Sequence, residues 1–289
     1  MTVDNAIIMA AGTSSRFAPL SYEHHKAMTV VRGEVLIERQ IRQLKEAGIS
    51  DIYIVTGYKE EEFLYLKDKY NVSLIHNPDY ISRNNNSSIW AARDVIRNSY
   101  ICSSDNYFLI NPFESEVECS YYSAVYTDKE TNEWCIESSE DGLIKKVNIG
   151  GKNAWYMLGH TFWDSSFTER FLDILKKEYN LPNTADKLWE SVYIDHISEL
   201  PMKIRKYPED SIYEFDTLDD LRIFDNSFIE HSGSAILSVI ASDLKVSESD
   251  IAGIKAVKDS TTEAVGFEFD CNGKRYRYRY NDKKAVEIS

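Results

Sequence analysis

The chain has 289 residues, 43% of them hydrophobic and 28% charged, with 33 basic side chains against 47 acidic ones and a formal net charge of −14. Those proportions exclude a disordered, collagenous or coiled-coil chain, and the length suits one large α/β domain with a small appendage. An acidic surface repels nucleic acid and anionic lipid, so neither is expected as a partner, and a small phosphate ligand needs backbone N–H groups, one or two cations or a metal ion to hold it.

The first apolar run, residues 5–9, ends in Ala10-Ala11-Gly12 and a polar Thr13-Ser14-Ser15-Arg16. It reads as a buried strand opening into a phosphate-sized turn. Residues 35–47 repeat Ile37, Ile41 and Leu44 at helical spacing and stop at Gly48, the mark of an amphipathic helix. A strand at 51–56, a helix at 59–69, a strand at 72–76, a helix at 88–97 and a strand at 100–103 continue the alternation, which implies a parallel, doubly wound sheet. Beyond Asp105 the pattern becomes shorter strands at 121–126, 134–136, 144–149 and 156–162, an antiparallel extension. Helices at 166–178 and 186–196, strands at 202–206 and 212–215 and a helix from Thr217 follow, so that residues 1–227 form the catalytic-sized domain.

Residues 228–289 read as a small α+β appendage: an apolar helix at 235–244, then strands at 265–270 and 274–280 joined by Asn272-Gly273, the strongest short hairpin signal. This part carries 9 basic and 10 acidic side chains, which leaves nearly all of the negative charge to the first 227 residues. The four cysteines, Cys102, Cys119, Cys135 and Cys271, form no CxxC pair. The longest early apolar run, 6–11, is far shorter than the ~20 residues of a membrane span. A reducing cytoplasm, with neither export nor membrane insertion, is the expectation.

Two constellations carry chemistry. In the first, the turn Ala10, Ala11, Gly12, Thr13 and Ser14 brings backbone N–H groups close to phosphate oxygens, with Arg16 and Lys26 as cations; by composition alone, an ordinary surface turn with two solvated cations is equally open. In the second, Asp105 leaves the C-terminal edge of the fourth strand, where ligands of such sheets bind, although Asp-Asn pairs also cap turns. Late in the domain, Glu214 and Asp216 stand at i and i+2 on one strand face, and Asp216 is also placed to cap the helix that begins at Thr217.

Gly12, Arg16, Pro19-Leu20 and Lys26 fall at the spacing of the signature of the nucleotidyltransferases in the glycosyltransferase-A-like, Rossmann-like superfamily, which this chain resembles. His25 departs from the pattern, since most members carry Pro before the lysine. Asn84-Asn85-Asn86-Ser87-Ser88, Thr131-Asn132-Glu133-Trp134, Gly159 to Asp164 and Asp186-Lys187-Leu188-Trp189 are similar to blocks of the bacterial choline-phosphate cytidylyltransferases of the LicC type. The resemblance covers residues 5 to about 225. It implies a mixed α/β sheet flanked by helices and transfer of a cytidylyl group from CTP to phosphocholine, giving CDP-choline and pyrophosphate. Asp105 and Asp216 would then hold Mg²⁺, Arg16 and Lys26 balance the triphosphate, and Asn84, Asn85 and Ser88 meet the nucleotide.

For the acceptor, Trp134 with Glu214 and Asp186 is the candidate cage for a quaternary ammonium, with Trp189 as a further aromatic wall and Lys152 aligning the phosphate. Ordinary core positions for both tryptophans and a solvated turn for Lys152 stay open. Leu188 stands where the resembled group has an aromatic residue. Other phosphorylated or phosphonate acceptors, a sugar 1-phosphate, and a regulatory protein that binds nucleotide without turnover are the rival readings. In the appendage, Arg275, Arg277 and Arg279 alternate with Tyr276, Tyr278 and Tyr280. The expectation is an arginine face that docks on the acidic catalytic domain of its own subunit or of a neighbouring one, the latter giving a homo-oligomer; a solvated arginine face on a tethered module is the alternative.

Overall fold

The computed structural model describes residues 1–258 and 264–288; residues 259–263 and 289 of the appendage lie outside the described residues. The chain divides into two compact units, one made of Met1–Gly12 and Ile37–Glu214, the other of Thr13–Leu36 and the chain from Phe215 onward.

The first unit is built on a nine-stranded mixed sheet. Its strands are β1 (Asn5–Ala10), β2 (Ile52–Thr56), β3 (Ser73–His76), β4 (Ser99–Ser103), β6 (Tyr121–Thr127), β7 (Thr131–Ser138), β8 (Ile144–Gly151), β9 (Ala154–Trp163) and β10 (Lys203–Lys206); β5 (Asn106–Phe108) and β11 (Ile212–Glu214) form a separate ribbon. The main path runs β8-β7-β9-β4-β1-β2-β3, with β6 joined to β9 and β10. Strands β1, β2, β3 and β4 are parallel, as the alternating pattern requires, and β7, β8 and β9 extend the sheet antiparallel. Helices α1 (Leu36–Glu46), α2 (Tyr65–Tyr70), α3 (Asn86–Ala92), α4 (Ser165–Glu178) and α5 (Trp189–Asp195) connect them.

The core holds Trp163, Phe167, Phe171, Trp189 and Tyr193, all at most 2% exposed, packed with Ile7, Val55 and Ile101 from the sheet. Burial of aromatic area on this scale dominates the stability of an α/β unit.

Three elements differ from the sequence pattern. The helix expected at 59–69 is a 3₁₀ turn, Glu60–Phe63, followed by α2, and Lys59 stands before both in the left-handed region at φ +50°. The helix expected at 88–97 starts earlier, at Asn86, and ends at Ala92. The ribbon of β5 and β11 was unforeseen; its register sets Glu214 opposite Asn106, the residue after Asp105.

In the second unit a four-stranded antiparallel sheet, β12 (Ala252–Lys258), β13 (Ala264–Cys271), β14 (Lys274–Arg279) and β15 (Lys284–Glu287), runs in sequence order, with helices α6 (Leu218–Phe224) and α7 (Ala235–Leu244) before it. Asn272 and Gly273 adopt φ of +50° and +75°, the two positive angles that a two-residue hairpin turn needs. Tyr278 and Tyr280 are buried, packing on Phe267, and Tyr276 stacks on Phe269.

Two of the three arginines are paired within the sheet, and Arg279 is exposed opposite Gly266. Arg277 stands directly across from Glu268 and bonds it at 2.6 Å, and Arg275 pairs with Asp270 at 2.9 Å and with Glu268 at 3.5 Å. These cross-strand pairs neutralise within the sheet the charge of Arg275 and Arg277.

Candidate active site

In the first unit β1 ends in Ala10 and Ala11, both nearly fully buried, and the turn at Gly12 is exposed, with open space where a Cβ would lie. Tyr58 N–H donates to the Ala11 carbonyl at 3.0 Å, which ties this turn to the end of β2. Next along the sheet, β4 delivers Asp105 into the tight connection to β5. Helix α1 clamps that connection: Gln40 Nε2 donates to the carbonyls of Ser103 (2.9 Å) and Asn106 (2.8 Å), and Gln43 Nε2 to that of Phe108 (3.0 Å). Gln40 and Gln43 are 1% and 2% exposed, so their amides are the internal partners that a buried strand turn would otherwise lack.

The β5–β11 pairing then brings a carboxylate oxygen of Glu214 within 4.8 Å of one of Asp105, with Asn106 Nδ2 donating to Glu214 at 3.5 Å. Hard oxygen donors at this spacing suit a divalent cation of the Mg²⁺ kind. Behind the pair sits Tyr122. Its hydroxyl donates to Glu190 Oε1 at 3.3 Å, and burial together with the charges of Glu190, Glu214 and Asp105 holds the phenol well above its ordinary pKa. Burial also pushes the Glu190 carboxyl up to about 7, against the hydrogen bonds from Asn85 and Tyr122 that favour its charged form. Neither Glu190 nor Tyr122 was foreseen, since a glutamate in the first turn of a helix ordinarily reads as a dipole partner.

The asparagine run has a structural task. Asn84 Nδ2 donates to the Asp186 carbonyl (3.1 Å), Asn85 Nδ2 to Glu190 Oε2 (3.2 Å), and Asn85 Oδ1 accepts from Trp189 N–H (2.7 Å). Ser87 and Ser88 accept from Asn77 Nδ2, itself 1% exposed. These side chains therefore fasten the start of α3 to the 184–190 segment.

Of the acceptor residues, Trp189 is in the core, 1% exposed and stacked on Tyr122, and offers no open ring face. Trp134 is half-buried on β7, Asp186 is exposed ahead of α5, and Lys152 is exposed at the β8–β9 turn, where it lines a cavity of about 500 Å³ with Thr131 and Asn132. The block from Gly159 to Asp164 is architectural. Gly159 takes φ of +103° at a bulge, His160 is buried against Tyr121 with its pKa lowered to about 3 by burial, and Asp164 caps α4.

In the second unit the cations converge on one carboxylate. Arg16 Nη1 lies 2.7 Å from Asp216 Oδ2 and Lys26 Nζ 3.2 Å from Oδ1. Arg16 is 72% exposed and Lys26 only 4%. His25 adopts φ of −63°, the angle proline would impose, and its Nδ1 accepts from Ala27 N–H to cap the 3₁₀ turn Lys26–Met28. The departure from the expected proline thus preserves the approach to Lys26. Thr13 and Ser14 precede the 3₁₀ turn Ser15–Phe17, Ser14 in the left-handed region at φ +48°. Asp216 is not a helix cap: Thr217 caps α6, in a capping box with Asp220.

Residues 6–110 match the model of the MobA-like NTP transferase domain. The choline-phosphate cytidylyltransferase of Streptococcus pneumoniae is 36% identical over 217 residues, 75% of this chain and 95% of that protein. The chain belongs to the LicC-like cytidylyltransferase family. A solved structure of the pneumococcal LicC, a CTP:phosphocholine cytidylyltransferase, superposes with a TM-score of 0.75 at 35% identity, covering 79% of this chain and all of that one. The 2-aminoethylphosphonate cytidylyltransferase of Lancefieldella rimae is 32% identical over 231 residues, 78% of this chain and 93% of that protein. The expected mixed α/β fold is therefore that of a LicC-like cytidylyltransferase, the antiparallel appendage is present beside it, and no helix among the described residues is long and apolar enough to cross a membrane.

Proposed function

We propose that the protein transfers the cytidylyl group of CTP to phosphocholine, forming CDP-choline and pyrophosphate. The observation that carries this reading is the match along 95% of the pneumococcal choline-phosphate cytidylyltransferase. An oxygen of the acceptor phosphate attacks the α-phosphorus in line as the bond to the bridging oxygen of the pyrophosphate breaks. Such chemistry asks the protein for positioning and charge neutralisation, with no covalent nucleophile. The N–H groups of residues 10–14 receive the nucleotide, Arg16 and Lys26 balance the triphosphate and the departing pyrophosphate, and Lys152 aligns the acceptor phosphate. Asp105 and Asp216, hard carboxylate donors, would hold Mg²⁺, which would supply charge neutralisation at the α-phosphate. Trp134, with the charges of Glu214 and Asp186, faces the quaternary ammonium. We assign the chemistry to residues 1–227 and a stabilising role to the appendage, 228–289. With Arg275 and Arg277 paired within the sheet, the exposed Arg279 is what remains of the face that a homo-oligomer would use. Four cysteines, all free thiols, fit a reducing cytoplasm.

The phosphonate-using relative supports a second reading, in which the acceptor is 2-aminoethylphosphonate. Initial rates of pyrophosphate release with CTP and Mg²⁺ separate the two: phosphocholine should exceed 2-aminoethylphosphonate, phosphoethanolamine and glucose 1-phosphate in kcat/KM. A preference for the phosphonate would transfer the assignment to the second reading, and CTP binding without turnover on any acceptor would favour a regulatory role.

A further inference from the structure

Gly57 follows directly on β2, buried, at the same sheet edge as the turn after β1. A Cβ built on it would lie 2.6 Å from Tyr80 Cγ, 2.9 Å from Tyr80 Cβ and 2.9 Å from the Ala11 carbonyl oxygen. These are separations that real side chains do not tolerate, so the Tyr80 ring and the Ala11 carbonyl converge on the same point only because residue 57 has no side chain. Its neighbours hold the arrangement: Tyr58 N–H donates to the Ala11 carbonyl, Asn77 N–H to the Thr56 carbonyl at 2.8 Å, and the Asn77 side chain grips Ser87, Ser88 and the Asp79 N–H. The backbone of residues 10–12 is thus located by a shelf made of Gly57 and Tyr80.

We infer that Gly57 and Tyr80 are positioning residues for the nucleotide, setting the Ala10–Gly12 turn at the depth at which its N–H groups meet CTP. The inference rests on the proposed use of CTP and adds to it the residues that tune nucleotide affinity. A methyl group at 57 must push either the ring or the carbonyl, and a carbonyl displaced by a few tenths of an ångström carries the Ala11-Gly12 peptide with it. The acceptor residues Trp134, Asp186 and Lys152 lie on other elements, so their task is left alone.

The test uses the full chain. Gly57→Ala should raise the KM for CTP, and the Kd for CTP measured by calorimetry without acceptor, by about tenfold or more, with the KM for the acceptor unchanged. Adding Tyr80→Gly removes two of the three close approaches and should recover part of the loss. Should Gly57→Ala not fold, Tyr80→Ala, which adds no atoms, should still weaken CTP binding by several-fold. Wild-type binding of CTP together with unchanged CTP affinity in the variants overturns the inference alone. So does an equal rise in both KM values, the sign of general loosening. A wild-type protein that does not bind CTP overturns the proposed function and this inference together.

Discussion

The asparagine-serine run 84–88 and the charged trio Arg16, Lys26 and Asp216 are both dense in polar groups, yet the fold treats them in opposite ways. In the run, each asparagine amide has an internal partner: Asn84 on the Asp186 carbonyl, Asn85 on Glu190 and the Trp189 N–H, Asn86 on the Thr184 and Lys187 carbonyls. In the trio, two cations share one carboxylate, and Arg16 keeps 72% of its surface exposed. Neutral amides bonded to internal partners stabilise a loop; charges held together with one cation open to solvent keep the capacity to exchange one another for a charged ligand. Amides so bonded suit a joint and charges so held suit a binding role, a distinction that sequence polarity alone does not make.

The comparison breaks most visibly at the carboxylates. Asp105→Asn and Asp216→Asn should each lower kcat by ~100-fold or more with an unchanged circular dichroism spectrum, because each removes charge where charge moves in the transition state. Near-normal turnover in either variant would leave that residue a structural role. On the side of the joint, Asn85→Ala should cost about 1–3 kcal/mol of stability in chemical denaturation, since it removes the amide that serves Glu190 Oε2 and the Trp189 N–H. Its KM for CTP should move little. A large rise in that KM at unchanged stability would mark Asn85 as a nucleotide contact after all.

Glu190 sharpens the contrast through pH. Its folded pKa, about 7, lies above the unfolded value near 4.5, so the folded state favours the protonated carboxyl. The associated stability is complete below about pH 4.5 and is lost as pH rises through 7. Glu190→Gln should abolish that part of the pH dependence, its melting temperature gaining on the wild type steadily from pH 5 to 8; parallel curves would show that the carboxyl titrates normally. The smallest effect expected is that of Thr217→Ala, which removes the cap of α6 and should cost ~1 kcal/mol while leaving kcat intact. A loss of turnover comparable to that of Asp216→Asn would join cap and carboxylate into one function.

Much of this was legible in the chain. Alternating apolar runs and helical spacing marked β1 through β4 and α1, and the hairpin at Asn272-Gly273 stands where its dipeptide put it, because these signals are local. What escaped depends on partners distant in sequence. Gln40 and Gln43 look like solvent-facing positions of an amphipathic helix until the carbonyls around Asp105 are placed against them. Glu190 becomes a perturbed carboxyl only through burial beside Tyr122. The arginines of β14 are an instructive case, for the same two-residue turn that was legible also dictates that Arg277 faces Glu268 and Arg275 faces Asp270.

The central claim, transfer of a cytidylyl group to phosphocholine, meets its most direct test in ³¹P NMR of the wild-type protein with CTP, Mg²⁺ and phosphocholine. The phosphocholine resonance should be replaced by the paired signals of a diphosphate diester, with one equivalent of pyrophosphate. An unchanged phosphocholine resonance while CTP is consumed, or while the same protein forms the corresponding product from 2-aminoethylphosphonate, would contradict it.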